Sequence, residues 1–166
     1  TYKLNEDFKE YITGLFKAGD YFGYIALLKD MEHPETAVAI EDSEIIKIHK
    51  DDFLSLIYNN REVAHYFIKM LSGNIVEKEQ NLINLAYNSV RKRVANGLIL
   101  LHKRYIENDV EPFTITLSRN DLASIVGTST ESVIRVLSDF KNEGLINIKG
   151  SKITVLNLNG LELMHN

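Results

Sequence analysis

Hydrophobic positions change their period twice along this chain, and the changes divide it. Up to about residue 50 the apolar residues come in short runs at 11–16, 36–40 and 44–48, separated by turn signals such as Ala18-Gly19-Asp20 and Glu32-His33-Pro34. Short β-branched and aromatic runs between such turns predict strands, here of a sheet that rolls up. Tyr2 already reads as strand, and three or four strands cannot close a roll, so further strands are expected before Thr1. From Lys50 the period becomes helical. A short helix is predicted there with Asp51 as its N-cap, then a long one over 61–86. The long helix carries Ala64, Phe67/Ile68, Leu71, Ile75, Leu82 and Ala86 at near-heptad spacing. Such a stripe suits either a core helix or a dimer seam.

Asn88 reads as a hinge and Ser89 as the cap of a helix over 90 to about 106, which Asn108-Asp109 would end. A strand over 113–117 follows. Ser118, with Asp121 three residues on, opens a helix over 119–126 that stops at Gly127. A second helix starts after Ser129 and ends near Glu143-Gly144, and runs at 145–148 and 152–156 around Lys149-Gly150-Ser151 read as a hairpin. Helix, Gly-containing turn, helix and hairpin together make the winged form of the helix-turn-helix.

On the second helix Val133, Val136, Leu137 and Phe140 form one stripe, which leaves Thr130, Glu131, Ile134 and Arg135 on or near the opposite face. Glu131 and Arg135 are four apart and share a side of the helix. An arginine can bond O6 and N7 of guanine, and a glutamate can accept from cytosine N4. Base-reading candidates are therefore Glu131, Arg135 and Thr130; Arg119, Ser129 and Ser132 are candidates for phosphate contacts. An exposed Glu–Arg pair alone would give only a few tenths of a kcal/mol of helix stability.

Charge adds little. The net of −4 splits into −6 over residues 1–88 and +2 over 89–166, a mildly basic C-terminal half. The absence of Cys excludes thiolate catalysis and cysteine-held clusters within these 166 residues. His33, His49, His65, His102 and His165 show no metal-ligand spacing, and no phosphate loop or nucleophile elbow is present. No catalytic constellation or cofactor is expected, nor any membrane span, and a cytoplasmic location is.

The segment SRNDLASIVGTSTESVIRVLSDFKNEGLI (118–146) resembles the cyclic-AMP receptor protein / fumarate-nitrate regulator (Crp/Fnr) family of bacterial transcription factors. The likeness extends through GDYFGYIALL (19–28), AVAIEDSEIIKIHKDDF (37–53) and NLAYNSVRKRVANGLILL (84–101). It implies an α+β chain: the C-terminal part of a cyclic-nucleotide-binding-like β-roll (1–60), a dimerisation helix (61–88) and a winged helix-turn-helix (89–166). It also implies a homodimer on palindromic double-stranded DNA, contacting RNA polymerase if it activates, with Glu131 and Arg135 at base-reading positions. The ligand pocket departs from the family. Gly23 is retained, but Tyr24 stands where cyclic-AMP binders carry the ribose-binding Glu, and Glu35-Thr36 where they carry the phosphate-binding Arg-Ser. Lys78 and Glu79 replace the hydroxyl residues that reach the adenine. A carboxylate facing a phosphate repels it, so cyclic AMP is not expected to bind in the usual mode. The alternatives are a winged-helix protein-interaction module and a small-molecule sensor with a non-DNA output.

Overall fold

The computed structural model describes residues 1–105 and 112–165. Strands β1 (Tyr2–Leu4) and β2 (Glu10–Ile12) pair antiparallel, with Tyr2 opposite Ile12. Thr36 meets β1 at a single bridge, exchanging both backbone hydrogen bonds with Tyr2 at 2.9 and 3.0 Å. The strands expected over 36–40 and 44–48 do not form, and the one expected over 11–16 is confined to its start. A strand exists only through its ladder, and beyond the Tyr2–Thr36 bridge the runs over 36–40 and 44–48 have no neighbour to pair with among the described residues; Ile40 and Ile46 are instead exposed.

Helix α1 (Tyr24–Lys29), not anticipated, follows Gly23, and α2 (Lys50–Asn59) follows His49. Asp51, expected as the cap of α2, lies in its first turn with Asp52 instead, where carboxylates favour the positive end of the helix dipole. Helix α3 (Arg61–Tyr87) is continuous through Gly73, and its N-cap Asn60 accepts from the amides of Glu62 and Val63. Its first turns pack inward, with Phe67 buried edge-on against Phe53 and Tyr24. Further on, Ile75 and Leu82 stand 60% and 67% exposed.

The core lies in the C-terminal half. Helix α4 (Val90–Tyr105) begins where Ser89 Oγ accepts from the Lys92 amide. It supplies Val94, Ala95, Leu98 and Leu101 to a cluster shared with Leu122, Val126, Val133, Leu137, Phe140, Ile146, Ile153 and Leu161. The stop expected for this helix at Asn108-Asp109 lies outside the described residues. Strand β3 (Thr114–Thr116) leads into α5 (Arg119–Val126) and α6 (Thr130–Asn142). The hairpin β4 (Ile146–Lys149) and β5 (Lys152–Val155) then accepts β3 on the free side of β5, and α7 (Leu158–Glu162) packs against α4 with Leu161 buried. Neither the β3–β5 pairing nor α7 is legible in the sequence, because a three-residue strand and a one-turn helix owe their stability to tertiary contacts.

Candidate nucleic-acid interface

Two hydroxyl caps and one glycine build the helix pair. At the start of α5, Ser118 Oγ accepts from the Asp121 amide at 3.0 Å and donates to the Asp121 carboxylate at 2.7 Å. Gly127 ends α5 at φ +67°, a left-handed conformation that glycine takes without steric cost. Ser129 Oγ then caps α6 by accepting from the Ser132 amide, and it also donates to the Ser132 hydroxyl at 3.1 Å. Ser129 and Ser132, the phosphate candidates, thus spend these bonds on the turn.

Two arginines of α4 hold the pair in place, and neither was anticipated. Arg93 Nη1 donates to the carbonyls of Val126 and Gly127 at 3.0 and 2.7 Å, placing a cation at the negative end of α5. Arg91 pairs with Glu143 at the far end of α6 and lies 4.8 Å over the Phe140 ring. Sequence spacing carries no signal for contacts across 33 to 52 residues.

Two further hydrogen bonds gather three elements at one end of this domain. Thr130 Oγ1 donates to Asn120 Oδ1 at 3.0 Å, joining the start of α6 to the start of α5. Arg119 Nη2 donates to the Gly150 carbonyl at 2.9 Å, joining the start of α5 to the wing tip. Thr130 and Arg119 therefore have structural partners besides whatever they meet in solution. At the wing tip Lys149 and Lys152 face each other directly across the ladder, both exposed. Like charges in that arrangement destabilise a hairpin unless an anion answers them. In the sequence Lys149 reads as a turn residue; only the register sets it opposite Lys152.

Glu131 and Arg135 are both exposed on α6, and neither joins an ion pair among the described residues. The mutual pair that would have made them a purely stabilising feature is not formed. The Glu131 carboxyl is held below its usual range, first by its own backbone amide and then by the Ser129 hydroxyl. It therefore stays an acceptor at neutral pH and below.

The ligand-pocket positions do not converge in the same way. Gly23 takes φ +81°, with the His33 ring 3.3 Å from where a Cβ would stand. Tyr24 turns to the long helix, where its hydroxyl accepts from Asn74 Nδ2 at 2.7 Å. The Glu35 carboxylate accepts from Thr13 Oγ1 at 2.5 Å, and Thr36 is spent on its bridge to Tyr2. Lys78 and Glu79 are exposed on α3. No helix among the described residues is long and apolar enough to cross a membrane.

Residues 92–164 match the family model of the Crp-like helix-turn-helix domain, and residues 1–60 that of the cyclic nucleotide-binding domain. The cyclic AMP receptor protein of Thermus thermophilus is 31% identical over 147 residues, which cover 89% of this chain and 66% of that protein. The fumarate and nitrate reduction regulatory protein of Yersinia pestis is 27% identical over 159 residues, 95% of this chain and 63% of that protein. The present chain thus spans less than two thirds of the length of these relatives. In fold it is similar to a Crp/Fnr-family transcriptional regulator from Thermus thermophilus. That match has a TM-score of 0.81 at 23% identity and covers 97% of this chain and 79% of that one.

Proposed function

The chain belongs to the Crp/Fnr family of transcription regulators, and we propose that it binds palindromic DNA as a homodimer. Each subunit lays α6 in a major groove, the two grooves about 34 Å apart on one face of the duplex. The observation that carries this reading is the pair Glu131 and Arg135, exposed on one side of α6 and unpaired with each other. Arg135 reads a guanine, and Glu131 accepts from a cytosine in the same or a neighbouring pair. The exposed apolar residues of α3 at sevenfold spacing, Ile68, Ile75 and Leu82, support a helix seam between subunits. On this reading residues 1–60 serve as the sensor-like roll, 61–88 as the dimer helix and 89–166 as the DNA-binding unit.

Cyclic AMP is not the effector in the family's usual mode. Tyr24 is already engaged by Asn74, and Glu35 sets a carboxylate at the position aligned with the phosphate ligands.

The test is selection from a random duplex library at fixed salt, followed by anisotropy titration of the enriched site. Arg135→Ala is expected to cost about 1–3 kcal/mol on that site and to relax preference at one position of each half-site. Equal weakening on all sequences would remove Arg135 from base reading. The wing makes a separate prediction. Exchanging Lys149 and Lys152 for Gln should weaken binding to every duplex alike. It should also flatten the slope of log K against log salt by roughly 4, one for each of the two lysines that each of the two subunits loses. An unchanged slope would place the wing tip away from the phosphates.

A further inference from the structure

The solvent side of α6 carries one feature that the polar readers leave unexplained. Val133, Val136, Leu137 and Phe140 are buried, whereas Ile134 is 52% exposed, three residues after Glu131 and immediately before Arg135. Lone exposed apolar residues are ordinary on protein surfaces. This one is set apart by its place and its chemistry. It stands on the same side of α6 as the two unpaired charged candidates, on the helix whose start is tied to α5 and through Arg119 to the wing. A β-branched residue at an exposed helical position is a weaker helix former than Ala, Lys or Glu, so helix stability does not account for it. Its χ1 is nearly fixed in a helix, so its methyl groups are held in place before any partner arrives.

We infer that Ile134 reads the C5 methyl group of a thymine next to the pair read by Arg135. The inference rests on the DNA-binding reading above and adds a base to it. In the major groove thymine alone among the four bases presents a methyl group; cytosine presents a bare C–H at the same position. An isoleucine side chain between two polar readers gains by covering that methyl and gains nothing from a polar base edge. Discrimination then comes from apolar area removed from water, with no hydrogen bond involved.

Deoxyuridine tests this directly, since it removes the methyl and leaves the pairing and every hydrogen-bonding group in place. The probes are the duplex enriched by this chain and copies in which single thymines are replaced by deoxyuridine. Each is titrated with the unaltered chain, Ile134→Ala and Ile134→Val. For the unaltered chain, one replacement per half-site removes two methyl groups from the dimer's site and should weaken binding about nine- to 25-fold, three- to fivefold for each buried methyl. Ile134→Ala should bind the thymine duplex more weakly by a similar factor and be indifferent to the replacement. Ile134→Val should keep most of the sensitivity, and Arg135→Ala should keep all of it. If every uracil duplex binds as tightly as the thymine one, or if Ile134→Ala stays as sensitive as the unaltered chain, the inference is overturned while DNA binding stands. If the library yields no enriched sequence, the DNA-binding reading falls and takes the inference with it.

Discussion

Phe140→Ala should destabilise the C-terminal half by about 3–5 kcal/mol, the usual cost of deleting a large buried aromatic ring. The side chain is 0% exposed and is the largest of those wholly removed from solvent. It belongs to the shared core cluster, and its helix packs against α4, α5 and β4, so the ring's loss is felt by several elements at once. The ring also carries the Arg91 guanidinium, and the Phe140 carbonyl accepts from the Leu145 amide at 2.9 Å where the chain turns into the wing. Losing the ring therefore loosens the far end of α6 as well as opening a cavity. Against a typical domain stability of about 5–15 kcal/mol, the loss is a large fraction of the whole. Urea denaturation followed by circular dichroism measures it. A shift worth less than about 1 kcal/mol would mean that α6 rides on the surface and is not built into the core.

The same helix shows how far a sequence reading can reach. Its start at Ser129, its stop near Glu143-Gly144 and its buried stripe are all local signals, and the expected bounds agree with Thr130–Asn142 within a residue. Caps and a 3.6-residue period need no knowledge of partners. For that reason α3 and α5 are as legible as α6, and the side of α6 carrying Glu131 and Arg135 follows from the stripe that excludes it. Strands are different, because a run such as Thr36-Ala37-Val38-Ala39-Ile40 becomes one only when a neighbour supplies the ladder, and in this chain just Thr36 finds one. The supports of the candidate interface are hidden for a related reason. The Arg93 bonds to the end of α5, the Thr130–Asn120 bond and the lysines opposed across the wing depend on three-dimensional placement and leave no spacing to detect. His49 preceding α2 where Asp51 was expected is a smaller instance: several polar residues stand in a row there, and His49 takes the cap position without a side-chain hydrogen bond to the helix.

Gly97→Leu should cost about 3 kcal/mol, the upper part of the usual range for overpacking a core. The reason lies in how closely α4 and α5 cross. A Cβ at Gly97 would stand 2.6 Å from Val126 Cγ1 and 3.6 Å from Leu122 Cδ1, and both of those side chains are buried. Val126 cannot turn aside cheaply, because a β-branched residue in a helix holds essentially one χ1 rotamer. An alanine would introduce the same first contact, and up to about 1 kcal/mol of better helix propensity offsets only part of its cost, so Gly97→Ala should also destabilise, though less than leucine. Leucine adds three more carbons with no space to enter and recovers no more propensity than alanine does. The two helices must then separate, which draws the Val126 carbonyl away from Arg93 and shifts the turn that sets α6 against α5. Thermal unfolding separates the two variants, since each kcal/mol moves the midpoint of a chain this size by roughly 2–4 °C. Gly97→Leu should also lose affinity for the selected duplex at temperatures where it is still folded, and Gly97→Ala should lose less. Equal stability of the two variants would show that α4 and α5 do not meet at Gly97. A destabilised Gly97→Leu that kept full DNA affinity would show that the crossing supports the fold without setting the angle of α6.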